Sequence, residues 1–187
     1  MLNLNFIPFP ELTTDRLLLR QITQDDVNEI FFLRSDSRIM RYLDRTPAKS
    51  LDDAYAFLKS IADLEKNKSA VTWAITIKGE QKLIGTICYW NIKPEHYRAE
   101  VGYVLHPDFQ GKGIMQETLT SVLDNGFNVM KLHSVEADVN PANEASIKLL
   151  ERNNFVREAY FKENYFYDGK FLDSAIYSLL INDHKKT

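Results

Sequence analysis

Glu100-Val101-Gly102-Tyr103-Val104-Leu105-His106-Pro107-Asp108-Phe109-Gln110-Gly111-Lys112-Gly113-Ile114-Met115 is the stretch whose reading decides the fold. Arg98–Leu105 is a β-prone run that ends before Pro107. After the glycine-bearing turn, apolar residues recur at helical spacing: Ile114/Met115, Leu119, Val122/Leu123 and Gly126/Phe127. A strand passing through such a turn into a helix leaves the first helical amides without intrahelical partners. It also turns the positive end of the helix dipole outward, which suits a pyrophosphate. Gly111 and Gly113 allow close backbone approach, and Lys112 adds a positive charge. The spacing is not that of G-x-x-x-x-G-K-[ST], and G-x-G-x-x-G is absent, so the same residues also read as a plain tight turn.

Outward from this stretch the hydrophobic period changes in both directions. Upstream, Ala70–Ile77 and Lys82–Trp90 are β-rich runs joined by Lys78-Gly79-Glu80-Gln81, and Lys93-Pro94-Glu95-His96 leads into Arg98–Leu105. Connections this short predict an antiparallel meander. Earlier still, Leu12–Gln21 reads as one strand, and Thr23 with Asp26 resembles a capping box opening a helix with Val27, Ile30 and Phe31 on one face. A short helix over Ser37–Leu43 precedes Pro47, and Ser50 with Asp53 starts another whose stripe is Ala54, Phe57, Leu58, Ile61 and Ala62. Downstream come a strand over Leu132–Val139 and a helix launched by Asn140-Pro141. A hairpin of Phe155–Phe166 and Phe171–Leu180 follows, turning at Asp168-Gly169. The order predicts an α/β protein with a mixed sheet covered by helices, in one domain over 1–187.

Composition bounds the function. The 187 residues carry 23 Lys+Arg against 26 Asp+Glu, a net charge of -3, and the sequence pI is near 5.8. That balance argues against phosphate-driven nucleic-acid binding. One cysteine, Cys88, excludes an intrachain disulfide, and four scattered histidines form no zinc-type cluster, so no metal is expected. The opening MLNLNFIPFPEL lacks the basic and apolar regions of a secretory signal, and no apolar run approaches the roughly 18–20 residues of a membrane span. A cytoplasmic protein with no membrane partner is the expectation.

The chain resembles the GCN5-related N-acetyltransferase (GNAT) superfamily, in particular its ribosomal-protein-alanine N-acetyltransferase (RimJ/RimL-like) branch. The resemblance is carried by LTTDRLLLRQIT (Leu12–Thr23), EVGYVLHPDFQGKG (Glu100–Gly113) and VNPANEASIKLLERNNF (Val139–Phe155), and by Tyr167-Asp168-Gly169-Lys170 with Asp173. The family's phosphate motif, [QR]-x-x-G-x-[GA], is met by Gln110 and Gly113, with Met115 in place of the small residue. The resemblance implies a mostly antiparallel central sheet with helices on both faces, acetyl-CoA as co-substrate and, at family level, a homodimer. It places the pyrophosphate on the amides of Gly111, Lys112, Gly113, Ile114 and Met115. The pantetheine arm would pair with the backbone of the strand holding Tyr103, Val104 and Leu105, where that strand splays from the next. Asn143, with Asn140 nearby, would contact the arm, and Phe31, Tyr42 and Trp73 would line the acceptor cleft, with ordinary core packing as their simpler role.

Acetyl transfer to an amine requires that the amine lose a proton, that the carbonyl oxygen's developing charge be stabilised, and that the leaving thiolate be protonated or sheltered. Glu100 is the candidate base, acting through water, and a simple ion pair with Arg98 is the competing reading. A backbone N–H near Leu105 is the candidate oxyanion donor. Ser146 is the candidate acid, against a serine that only bonds its own helical turn. Tyr160, Tyr165 and Tyr167 are alternatives for the acid, with hairpin packing as their simpler role. Cys88 reads as a small buried residue, His106 and His133 as structural histidines, and Asp25 with Asp26 as a helix N-terminal charge pair. The acceptor expected is the N-terminal α-amine of a ribosomal or other protein. The alternatives are a polyamine, aminoglycoside or amino acid, or a noncatalytic acyl-CoA-binding module.

Overall fold

The computed structural model describes residues 1–184. Among them, eight strands form one sheet: β1 (Leu12–Thr13), β2 (Leu17–Gln21), β3 (Val71–Ile77), β4 (Leu83–Lys93), β5 (Arg98–Leu105), β6 (Ser134–Val139), β7 (Val156–Tyr167) and β8 (Lys170–Leu180). Their order is β1-β2-β3-β4-β5-β6-β8-β7. Every neighbouring pair is antiparallel except β5 and β6, which run parallel. The helices are α1 (Val27–Ser35), α2 (Ser37–Met40), α3 (Leu51–Lys66), α4 (Ile114–Asp124), α5 (Glu144–Arg152) and α6 (Ile181–His184). None is long and apolar enough to cross a membrane.

Two cores lie on opposite faces of the sheet, as the expected helix-covered mixed sheet requires. On one face Val27, Ile30 and Leu33 of α1 with Ala54 and Leu58 of α3 pack over Ala74 and Leu83, with Val104 partly buried against them. On the other, Leu119, Val122 and Leu123 of α4 and Leu150 of α5 cover Leu17, Leu19, Trp73, Ile87, Tyr89, Val101 and Val135. The α3 capping box forms as the sequence predicts. Ser50 Oγ accepts from the Asp53 amide at 3.4 Å, and the Asp53 carboxylate accepts from the Ser50 amide at 3.2 Å. Asp26 is buried, and its carboxylate takes a two-pronged bond from Arg20 at 2.7 and 2.8 Å, tying the entrance of α1 to β2.

Three predicted elements change. Leu12–Gln21 is not one strand: the chain reverses at Thr14–Arg16, so that Leu12 pairs with Leu19. The Thr14 hydroxyl accepts from the Leu17 amide at 3.0 Å and holds that turn. The second helix stops at Met40 rather than Leu43, and Asp44 takes a left-handed φ of 44° shortly after. α5 begins at Glu144, not beside Pro141, because the Asn140 side chain accepts from the Ala142 amide at 2.9 Å and makes a separate turn first. α4 also continues as a π-helical turn over Asn125–Val129. There the Tyr89 hydroxyl donates to the Val122 carbonyl at 3.0 Å, inserting into the helical ladder beside Gly126.

Candidate active site

The parallel ladder between β5 and β6 is short: Arg98, Ala99 and Glu100 pair with Ser134, Val135 and Glu136, and the strands then part. The His106 amide donates to the Ile84 carbonyl of the β4 side at 2.8 Å. By strand alternation, Val101, Tyr103 and Leu105 therefore turn their backbone N–H and C=O groups away from β4 and into the gap, while those of Val104 face β4. Across the gap, the bond from the Ile181 amide to the His133 carbonyl (3.0 Å) sets the alternation of β6, so the backbone of Asp138 faces inward. Two open strand edges facing one another are a template for an extended chain bearing amides.

The turn at the end of β5 is built for an anion. Gly111 and Gly113 have φ of +71° and +74°, and a Cβ on Gly113 would lie 3.4 Å from Arg16 Nη2. Within the described residues, the amides of Gly111, Lys112, Gly113, Ile114 and Met115 have no hydrogen-bond partner, as a cradle for a diphosphate requires. Met115 packs its side chain against the core, which leaves its amide facing the turn despite the missing small residue. The Gln110 side chain does not extend from the turn; its amide donates to the Leu105 carbonyl at 3.0 Å and fastens the loop to β5. A brace that sequence reading missed holds the other side. Glu117, in the first turn of α4, accepts from Thr14 Oγ1 (2.5 Å), the Arg16 amide (2.9 Å) and Arg16 Nε (2.6 Å), and Arg16 also donates to the Lys112 carbonyl at 3.0 Å. Thr14 and Arg16 lie in LTTDRLLLR, which reads as a strand and carries part of the family resemblance, with no local sign of this brace.

Glu100 stands where the strands part, on the face covered by α1–α3. Loss of solvent pushes its carboxyl up to about 7; Asp138 and Glu136 push the same way, while a hydrogen bond from Asn91 and the charge of Lys93 oppose them. Arg98 is not its partner: the guanidinium pairs with Glu136 on β6. Trp90 is the residue opposite Glu100 on β4 and is 46% exposed. The indole lies beside Gly102, where a Cβ would make ordinary contact with it at 3.7 Å. Trp73, by contrast, is 0% exposed, with its Nε1 donating to the Pro10 carbonyl at 2.7 Å in the core beneath α4. The aromatic expected in the acceptor cleft is thus a core residue, and Trp90 is the exposed aromatic beside Glu100. Its alternation with Thr86 and Cys88 along β4 was the available signal.

Tyr103 projects to the opposite face. Its hydroxyl lies 2.7 Å from Ser146 Oγ on α5, and burial pushes the phenol up to about 12. Ser146 is therefore held by a partner on β5, and its amide by the Asn143 cap at 3.2 Å. Asn140 Nδ2 donates to Asp44 at 3.3 Å, and the Tyr165 hydroxyl donates to the same carboxylate. Burial, with Asp44 and Asp138, pushes the Tyr165 phenol upward, which does not suit it as an acid. Phe31 is half-buried against the α1–α3 core and Tyr42 half-buried beneath the Arg41 guanidinium. Tyr160 is engaged by Asp173. His106 stacks on Phe32 and accepts from the Asp108 amide, as a structural histidine does. Cys88 has its thiol pushed up to about 11 by burial, which disfavours a nucleophile.

Residues 16–156 match the family model described as an acetyltransferase (GNAT) domain. The chain is 33% identical over 172 residues to the uncharacterized N-acetyltransferase YoaA of Bacillus subtilis, covering 92% of this chain and 97% of that one. It is 28% identical over 184 residues to the [ribosomal protein uS5]-alanine N-acetyltransferase of Escherichia coli, covering 95% and 94%. The crystal structure of spermidine N-acetyltransferase from Vibrio cholerae in complex with CoA and spermine superposes with a TM-score of 0.81 at 25% identity, covering 92% and 99%. The turn with five unpartnered amides, the open strand pair and the half-buried carboxylate lie inside the matched region. The chain belongs to the GNAT acetyltransferase family and is an acetyl-CoA-dependent N-acetyltransferase.

Proposed function

We propose that this single catalytic domain acetylates a primary amine, the N-terminal α-amine of a protein or peptide, within a ternary complex. The observation that carries the reading is the opposite placement of Glu100 and Ser146 about the gap. Glu100 (β5) points to the α1–α3 face, and Tyr103, which holds Ser146, points to the α5 face. The amides of Gly111–Met115 hold the diphosphate, Tyr103 offers backbone groups to the pantetheine arm, Leu105 meets its thioester end, and Asn143, whose Oδ1 caps α5, contacts the arm. Acetyl-CoA supplies the thioester. With a carboxyl near 7, Glu100 takes the amine proton through water from one face. The Leu105 N–H, turned into the gap, donates to the carbonyl oxygen as charge develops there. Ser146 donates to the leaving thiolate from the other face. The C–N bond forms as the C–S bond breaks.

A relative of similar length acetylates the alanine of a ribosomal protein, which supports the peptide acceptor. A second reading, a small polycationic amine, is favoured by a specific observation: burial raises the Glu100 and Asp138 carboxyls, with Asp138 and Glu136 adding to the rise at Glu100 and Asp44 and Glu136 to that at Asp138. A structural neighbour holds CoA and spermine. Release of CoA thiol against Ala- and Ser-starting peptides, spermidine and aminoglycosides tests both. Turnover with peptides alone supports the first reading; turnover with spermidine alone replaces it with the second.

A further inference from the structure

The geometry points to Tyr103 as a positioning residue: its hydroxyl donates to Ser146 Oγ and so commits the Ser146 hydrogen to the leaving sulfur. This rests on the reading of Ser146 given above. That reading uses the Tyr103 backbone and takes its side chain only as a hold on Ser146, by a direct bond from the β5 wall of the gap to α5, at 2.7 Å. It lies beyond Glu100, the last β5 residue in the ladder with β6, and hence inside the opened region.

The direction of the bond follows from chemistry. Either hydroxyl has the geometry to donate. A phenol is the more acidic and the stronger donor, and an alkyl hydroxyl the better acceptor, so the favoured arrangement runs Tyr103 O–H to Ser146 Oγ. An isolated helical serine in that position turns its hydrogen back onto a carbonyl one turn earlier. With Oγ already accepting from the phenol, the bond polarises the Ser146 O–H and strengthens it as a donor. Burial keeps Tyr103 in the neutral form that can donate across the working pH range. No proton has to leave either residue. The amine proton goes to Glu100, the departing sulfur is held as a thiolate by the Ser146 hydrogen bond, and it takes a proton from water on release.

The test is a double-mutant cycle read by CoA-thiol release, with kcat and KM for acetyl-CoA separated. Tyr103→Phe keeps the ring and its packing. It is expected to lower kcat about tenfold with KM for acetyl-CoA within about twofold, while Ser146→Ala lowers kcat at least as far. The double variant falls no more than about twofold below Ser146→Ala, because Tyr103 has no route of action once the serine hydroxyl is gone. Ser146→Thr keeps a hydroxyl at the same position, retains most of kcat and remains sensitive to Tyr103→Phe. Should Tyr103→Phe leave kcat intact while Ser146→Ala loses it, or should the two losses multiply, the positioning role is overturned and the reading of Ser146 survives. A rise in KM for acetyl-CoA with kcat unchanged would make Tyr103 only a wall of the gap and also overturns it. Full kcat in Ser146→Ala overturns the reading of Ser146 and this role together.

Discussion

Replacing Glu100 by Gln removes the charge at the opening of β5 and β6 and keeps the shape. Burial, reinforced by Asp138 and Glu136, moves the carboxyl from 4.5 to about 7. At that value roughly 10% of it is ionised at pH 6 and roughly 90% at pH 8, so the base contributes about a tenfold rise in kcat/KM across the interval, on top of the rise from the acceptor amine. An unshifted carboxyl is about 97% ionised at pH 6 and adds no rise of its own there. Glu100→Gln is expected to lower kcat/KM about 100-fold and to erase this limb. A peptide α-amine titrates near ~8, so its own limb persists in the variant and serves as the internal control. The measurement is CoA-thiol release from pH 5.5 to ~9 with a peptide acceptor. A Glu100→Gln enzyme that keeps a third of the wild-type rate, or keeps an inflection near 7, refutes the assignment.

Stability gives an independent reading of the same group. A carboxyl whose folded value lies above its unfolded value binds protons more tightly when folded, so stability falls as pH rises from about 4.5 to about 7. The full shift corresponds to about 3 kcal/mol, and solvent screening of this half-exposed group reduces it to roughly 1–2 kcal/mol. The lost Asn91 bond offsets part of the gain. Glu100→Gln should therefore melt above wild type at pH 8, with the difference vanishing near pH 4.5.

Other substitutions test the frame around the site. Gly113→Ala puts a Cβ at a φ of +74° and 3.4 Å from Arg16 Nη2; it should cost about 1 kcal/mol of stability and weaken acetyl-CoA binding at least about tenfold by calorimetry. Arg16→Ala, which releases the Lys112 carbonyl and Glu117, should raise KM for acetyl-CoA roughly three- to tenfold with kcat little changed, since it loosens the cradle and not the reacting groups. Gly126→Ala would press a Cβ to within 2.4 Å of the Tyr89 hydroxyl, so the π-turn must shift. A cost of about 1–3 kcal/mol, and a Tm lowered by about 3–10 °C with normal kcat in the folded enzyme, is the expected result.

Local chemistry made most of the elements legible. The α3 stripe of Ala54, Leu58 and Ile61, its Ser50–Asp53 box and the glycine turn before α4 depend on neighbours within a few residues. The split of Leu12–Gln21 escaped because a side-chain bond from Thr14 creates the reversal inside a uniformly β-prone run. Between the cleft and core readings of Trp73 the sequence could not choose, because β3 is buried on both faces, which erases the period-two contrast that tells one face from the other. β4 keeps that contrast at its exposed end, which is why Trp90 was readable in principle.

The sequence alone determined the glycine turn, its helix and the β5 strand that carries Glu100, since φ limits, capping and alternation act over a few bonds. Only the tertiary structure decided where β5 leaves β6, that Arg98 serves Glu136 and not Glu100, and that Tyr103 meets Ser146. It alone also joined Arg16 to Glu117, 101 residues apart in the chain. Such pairings depend on the register and separation of whole strands and helices, which distant packing sets and which no short window of residues encodes.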